Sequence, residues 1–279
     1  GKFMDGHELG RTACAGLLWV LIFVGASAAL EAEEPAAELM PLPEAVVVKT
    51  PKPPVIDGKI DDGEWDFATA GTGFMAKRFS IEKQILARNQ TVFWFTYDDK
   101  NLYVCIKNYR GADQTVLRKG ARDPDWVNIV FDDSNEIWFT PPAAMPTTYQ
   151  TLFNSYPAVY DVMLIPSIGH IGKGWEGKWK IACSETREYW IVEAAAPIAS
   201  FGVEGIKDGD TWKALFTADV LGSSSFRRWG PWVTHAFKEM AGHDIVRFKE
   251  NAPAVQMLDV ENVMTGKAEF PMAVTAPLK

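Results

Sequence analysis

The chain is short of cysteine and of basic charge, and it contains no long amphipathic helical pattern. Three cysteines in 279 residues build no disulfide framework, and a chain of this length can bury a sizeable core without one. Cys14 falls in an apolar leader, which leaves Cys105 and Cys183. These two either pair or serve as small buried hydrophobes; sequence sets no distance between them. Lys and Arg number 28 against 36 Asp and Glu, a formal charge of −8. Such a chain has no electrostatic footprint for nucleic acid, and that class of partner is set aside. A Gly-x-Ser-x-Gly elbow, a His-Glu-x-x-His helix and a phosphate loop are all missing. Gly172-Lys173-Gly174 lacks the rest of the last motif. Paired acids for glycoside hydrolysis are a spatial matter that sequence leaves open, but nothing in the motifs points to an enzyme. No internal repeat is visible.

What the chain does have is aromatic weight: 11 Trp and 16 Phe, within 47% hydrophobic and 23% charged residues. Aromatics in this number favour strands or binding surfaces. Turn signals recur at short intervals between runs that alternate apolar and polar. Thr91 to Tyr97 and Leu102 to Asn108 read as a hairpin around Asp98-Asp99-Lys100-Asn101. Further strands are expected at Val46 to Lys49, Thr148 to Asn154, Tyr160 to Ile165, Trp179 to Cys183, Tyr189 to Ala196, Thr211 to Asp219 and Ile245 to Phe248. Ile198 to Phe201, after Pro197, reads as one helical turn. The fold class that follows is all-β, an antiparallel two-sheet sandwich of jelly-roll or immunoglobulin-like kind with short helical turns.

Ala13 to Leu30 is apolar, with Arg11 before it and Ala26-Ser27-Ala28 near its end. This is the layout of a secretory signal, residues 1–28. A single membrane anchor is the alternative, since about 18 apolar residues just span a bilayer. Glu31, Glu33 and Glu34 follow instead of a basic stop-transfer cluster, which favours cleavage and no membrane span in the mature chain. The expected location is secreted, periplasmic or at the cell envelope. Residues 29–44, rich in Glu, Ala and Pro, read as a linker. Residues 45–250 form the domain, and 251–279 read as an irregular C-terminal extension.

Asp132 to Phe139 is the centre of the functional reading. A turn of acids and serine leads into a strand in which Ile137 and Phe139 share one face, Glu136 and Trp138 the other. A carboxylate beside a flat aromatic suits a sugar, which needs acceptors for its hydroxyls and a platform for its apolar face. The plainer alternative is a solvated Glu136 and a Trp138 packed under a loop. At 55–65, Asp57 and Asp61 present oxygen ligands of the kind structural calcium takes. They do not match the EF-hand spacing, and turn and capping chemistry competes for them.

Five landmarks occur in a familiar order: Val-Ile-Asp-Gly-Lys-Ile-Asp-Asp-Gly-Glu-Trp at 55–65, Tyr-Asp-Asp-Lys-Asn-Leu-Tyr-Val at 97–104, Asp-Asp-Ser-Asn-Glu-Ile at 132–137, Tyr149-Gln150 with Asn154 and Asp161, and Val192-Glu193-Ala194-Ala195-Ala196-Pro197 with Gly209-Asp210-Thr211-Trp212. In these the chain resembles the family 9 carbohydrate-binding modules, within the wider DOMON-like set, over roughly residues 46–250. The resemblance implies a β-sandwich that binds polysaccharide or oligosaccharide without catalysis, often beside a glycoside hydrolase and with structural calcium. It places the family glutamate at Glu136 and polar contacts at Gln150 and Asn154. Trp138, Trp229 or Trp232 would supply the stacking face. Two family positions depart: the arginine falls at Leu152, and one clamp tryptophan falls near Val130, where only Phe131 or Trp126 could stand in. DOMON-like relatives imply haem as an alternative cofactor, with His170, His235, His243, Met145 and Met163 as available ligands. No Cys-x-x-Cys-His attachment motif exists. A further alternative is an envelope adhesion or scaffold sandwich without a small ligand.

Overall fold

Alternation along the hairpin at 91–109 sets the layering. Phe93, Phe95 and Tyr97 of one strand, and Leu102, Val104 and Ile106 of the next, point into the main core. Val92 and Trp94, with Tyr103 and Cys105, point the opposite way into a second apolar cluster. Both faces of the hairpin are therefore covered. The computed structural model describes residues 42–77, 84–111, 114–118, 127–220, 225–257 and 272–275. The chain divides into a unit Gly1–Glu38 and a unit Leu39–Lys279, and all described residues belong to the second. The expected signal segment, 1–28, and nearly all of the expected linker, 29–44, lie outside the described residues.

Two sheets face each other. The larger runs in the order β10 (His170–Gly172), β9 (Val159–Ile165), β8 (Thr148–Asn154), β7 (Ser134–Thr140), β13 (Thr211–Val220), β14 (Ser225–Trp229), β3 (Phe74–Lys77) and β4 (Gln84–Leu86). β15 (Asp244–Lys249) pairs with the first half of β13, and β1 (Glu44–Val48) runs parallel along β15. The smaller sheet has the order β11 (Lys180–Glu185), β12 (Tyr189–Pro197), β6 (Asn101–Tyr109), β5 (Thr91–Tyr97) and β2 (Thr69–Gly71). Among the described residues, helical elements are 3-10 turns of three to five residues, such as Val127–Phe131 and Ile198–Phe201. The fold is an antiparallel β-sandwich, as the strand pattern implied.

The core between the sheets is built of rings. Phe93 from the smaller sheet stacks on Phe216 from the larger, centroids 4.0 Å apart and planes within 6°. Phe95 stacks on Phe139 at 5.3 Å, and Tyr97 meets Phe248 edge-on at 5.1 Å. Aromatic contacts of this kind join the sheets by area burial and quadrupole geometry together.

The outer face of the smaller sheet is roofed by residues 55–68. Ile56, Trp65 and Ala68 pack on Val92, Trp94, Tyr103, Cys105 and Ile191. One buried carboxylate fastens this roof. Glu193, fully buried on β12, accepts from the Asp57 and Gly58 backbone N–H groups at 3.0 and 2.7 Å and from the Trp65 indole N–H at 3.0 Å. Gly58 has φ +88°, and a Cβ there would lie 3.0 Å from the Cys183 carbonyl oxygen. Two of the five sequence landmarks are thus the two halves of one clasp.

Several elements differ from the sequence reading. β14, β3 and β4 extend the larger sheet where no strand was expected. The extension 251–279 is not irregular throughout: β16 (Ala254–Met257) pairs antiparallel with β17 (Met272–Thr275), and Ala254 is buried. Short strands with one apolar residue in two carry too little periodic signal to stand out. Cys105 and Cys183 are both free thiols. Both thiols are held well above their usual range by burial.

Candidate functional site

β7 alternates as expected. Ile137 and Phe139 enter the core, and Ser134, Glu136, Trp138 and Thr140 face outward. Pairing in register puts Trp138 beside Gln150 and Glu136 beside Leu152 of β8. On the other side Ser134 lies opposite Asp219 of β13, and Asp219 lies opposite Phe226 of β14. Cross-strand partners share a face. Glu136, Gln150, Ser134, Asp219 and Phe226 therefore occupy one continuous outer surface of the larger sheet.

Glu136 is the hub of that surface. Its Oε2 accepts from the Trp138 indole N–H at 2.9 Å and from the Gln150 amide at 3.0 Å. Its side chain is hydrogen-bonded to Asp219. Glu136 is only 9% exposed and Asp219 only 3%. Burial raises the affinity of Glu136 for its proton. Burial first, and then the charge of Glu136, lift Asp219 well above the ordinary aspartate range. Two adjoining buried carboxyls cannot both ionise cheaply, so the pair shares a proton. The Asp219 Oδ1 and the Ser134 Oγ, on residues paired across the ladder, are buried and have no hydrogen-bond partner.

Two segments flank this hub. The 3-10 turn Val127–Phe131 packs Ile129 onto Leu152, and its last residue, Phe131, is 58% exposed. Beyond β14, the segment after Gly230 lies over the opposite end. There Trp232 stacks on Phe237 at 4.9 Å, and Phe237 meets Phe226 edge-on at 6.5 Å. Phe226 remains 48% exposed beside Asp219.

The six expected contact residues divide. Glu136, Trp138 and Gln150 do meet. Trp138 offers no open stacking face, because it is buried and packs edge-on to His243 at 5.8 Å. Asn154 is fully buried and donates to the Asp132 carboxylate at 3.1 Å, closing the turn before β7. Trp229 corrects the reading most plainly. Strand alternation turns it to the core face, where it meets Phe93 edge-on at 5.1 Å. Trp232 is 3% exposed, and its indole N–H donates to the Met75 carbonyl at 2.8 Å. The accessible aromatics here are phenylalanines.

Asp219, Phe226 and Arg228 were missed by the sequence reading. The legible signal was the alternation Phe226, Arg228 against Arg227, Trp229; the paired arginines hid it. Arg228, on the outer face opposite Thr217, is a guanidinium in the same row as Glu136, where Leu152 stands at the family arginine position. It is buried and bound to Asp244 at 2.6 Å. Burial outweighs that contact and pushes the Asp244 carboxyl up to about 7. Neighbouring His243, whose Nε2 lies 2.6 Å from the Phe237 carbonyl oxygen, is pushed down to about 4 by burial.

Asp57 and Asp61 are engaged in turn chemistry. Asp57 Oδ1 accepts from Lys59 N–H at 3.0 Å, and the Asp61 carbonyl accepts from Glu64 N–H at 3.2 Å. Both side chains are exposed, and no cluster of three or more His, Cys, Asp or Glu suited to a metal occurs among the described residues. The haem ligands considered are dispersed. His170 and Met163 sit on the β9–β10 edge, His235 and Met145 are exposed, and His243 is buried elsewhere. A pocket of about 260 Å³ at one end of the sandwich is lined by neither histidine nor methionine. No helix among the described residues is long and apolar enough to cross a membrane.

Comparison with solved structures adds the fold family. A protein from Bacteroides uniformis provisionally classed as carbohydrate-binding superposes with TM-score 0.59 at 14% identity, covering 75% of this chain and 100% of that one. A family 9 carbohydrate-binding module from Caldicellulosiruptor kristjanssonii, solved with glucose, gives TM-score 0.52 at 14% identity over 75% and 97% of the two chains. The fold is that of the family 9 modules. A structure of a family 9 module from the same organism with cellotriose gives 0.50 at 16% identity, covering 75% and 95%. No family model matches the sequence, and no curated protein matches it. The family 9-like sandwich is thus recognisable in backbone geometry at an identity where side-chain roles do not transfer by alignment.

Proposed function

We propose that this chain is an exported, non-catalytic saccharide-binding domain that supports polysaccharide breakdown. Its contact surface is the outer face of β7, β13 and β14. The observation that carries the reading is the exposed ring of Phe226 beside the largely buried Glu136–Asp219 pair. A pyranose laid on Phe226 would present its hydroxyl edge toward Glu136, the more exposed member of the pair, and Gln150 would hold Glu136 in place. Phe131 is the second platform, at the position where Trp126 and Phe131 were the available substitutes for a clamp tryptophan; Trp126 lies outside the described residues. Glucose and cellotriose bound to the family 9 neighbours support the ligand class. The haem and adhesion readings gain no specific observation.

A glycan array probed with the full chain, followed by calorimetry with cellotriose, tests this. Phe226→Ala removes an exposed ring worth about 0.5–1.5 kcal/mol of stacking and should weaken binding roughly two- to tenfold without unfolding the domain. Failure of the full chain to retain any saccharide would refute the reading.

A further inference from the structure

On the opposite side of β8 from Gln150, the sandwich opens between β9 of one sheet and Ile181 of β11 in the other. A groove of about 510 Å³ lies there, floored by Trp175 and Trp179 and rimmed by Lys173, Glu176 and Lys178. The three charged side chains are exposed and the two indoles half-buried. Their rings are fixed from behind. Trp175 donates its indole N–H to the Ser200 carbonyl at 2.8 Å and leans on Tyr149 at 4.8 Å. Trp179 donates to Thr151 Oγ1 at 2.9 Å and stands edge-on to Phe153 at 5.2 Å. Thr151 in turn donates to Asp161 Oδ1 at 2.6 Å, and Asp161 Oδ2 accepts from Gly177 N–H at 2.9 Å. One chain of hydrogen bonds therefore locks an indole and the loop that rims it.

The backbone of that rim is also unusual. Lys178 has φ +54°, and it is the one residue other than glycine with positive φ among the described residues. A strained non-glycine residue persists where its surroundings over-determine it, and such residues concentrate at ligand contacts. The preceding Gly177 has no room for a side chain, since a Cβ would come within 2.3 Å of Trp179 Nε1. Sequence and fold thus cooperate to hold Lys178 at the mouth of the groove.

We propose that this groove is a second saccharide-contact site, separate from the outer face of the larger sheet. Immobilised ring faces meet the apolar face of a pyranose without losing rotamer freedom on binding. Ammonium and carboxylate groups at the rim donate to and accept from its hydroxyls. Because Gln150 and Thr151 are successive residues of one strand, the two surfaces lie on opposite faces of β8, and each can be removed without touching the other.

The test is ¹⁵N-labelled full chain titrated with glucose, cellotriose and xylotriose, following indole N–H resonances assigned with Trp175→Phe and Trp179→Phe. At least one sugar should move the Trp175 and Trp179 signals. Lys173→Ala/Glu176→Ala/Lys178→Ala, confined to exposed side chains, should weaken that response about tenfold, as expected for losing two or so modest hydrogen bonds. Phe226→Ala should leave it unchanged, whether or not the outer face binds sugar. The proposal is overturned if neither indole moves at millimolar sugar. It is equally overturned if the triple variant responds as the parent does, or if the response disappears with Phe226→Ala.

Discussion

Replacing Glu193 by alanine should detach the roof over the smaller sheet. The carboxylate accepts three hydrogen bonds. Two of the donors, Gly58 N–H and the Trp65 indole, are buried, and Asp57 N–H reaches solvent. Each buried donor left unpaired costs about 1–3 kcal/mol, so the loss should total about 2–6 kcal/mol, with the Asp57 group rehydrated at little cost. Removing a carboxylate whose proton affinity burial already raises returns part of this, which places the expected value near 3 kcal/mol. Glu193→Gln keeps one acceptor oxygen and should lose about half as much. Urea unfolding measures the total. Amide exchange at Gly58 and indole exchange at Trp65 locate it, and both should accelerate before the core strands do. If Glu193→Ala stays within about 1 kcal/mol of the parent, or if Gly58 and Trp65 stay as protected as in the parent, the clasp is not what holds residues 55–68.

Gly58→Ala attacks the same clasp through the backbone: at φ +88° with a Cβ 3.0 Å from a carbonyl oxygen, it should cost about 1–2 kcal/mol or more in urea unfolding. Phe216→Ala empties the ring stack on Phe93 at 4.0 Å and should cost about 3–5 kcal/mol, the largest single-ring effect, read as a lowered thermal midpoint. The His243–Asp244 neighbours oppose each other in pH. His243, near 4 when folded and about 6.5 when unfolded, contributes stability that rises with pH across that window. Asp244, near 7 when folded and about 3.9 when unfolded, contributes stability that falls as pH rises across its own. Relative to the parent, His243→Gln should therefore remove a rise in stability between about pH 4 and 6.5, and Asp244→Asn should remove a fall between about 4 and 7. Denaturation midpoints collected across that range, taken as differences from the parent, should slope in opposite directions for the two variants, and parallel differences would contradict the burial of either group.

Strand alternation carried most of what was legible. In the strand at 132–139 alternation placed Ile137 and Phe139 inward from sequence alone, and in the hairpin at 91–108 and the run at 189–196 it sorted the residues into two faces without saying which is the core, because a period of two leaves only two faces. The same rule was available at 225–229 and went unread. Arg227 and Arg228 look like surface residues, yet they are 5% and 1% exposed. Trp229 and Trp232 were placed as a ligand platform by the family resemblance, but one faces the core and the other binds a backbone carbonyl in neighbouring β3. Composition ranks side chains by what they could touch; strand register decides which way they point. Asn154 failed for a similar reason, since the partner that claims it, Asp132, comes close only when β7 and β8 pair.

By itself the sequence determined the architecture and the hub: an all-β sandwich with a carboxylate and an indole on the face of β7 away from the core. Local rules suffice there, because alternation and turn chemistry act over a few residues. Only the tertiary structure decided what surrounds the hub. It brought Asp219 against Glu136 through a β7–β13 pairing whose partners Glu136 and Thr217 are 81 positions apart in the chain, closed Glu193 over the Asp57-Gly58 turn, and left phenylalanines rather than tryptophans open to solvent beside the hub. Those outcomes depend on which distant strands pair and on how deeply each group is buried, and neither quantity is local to any stretch of the chain.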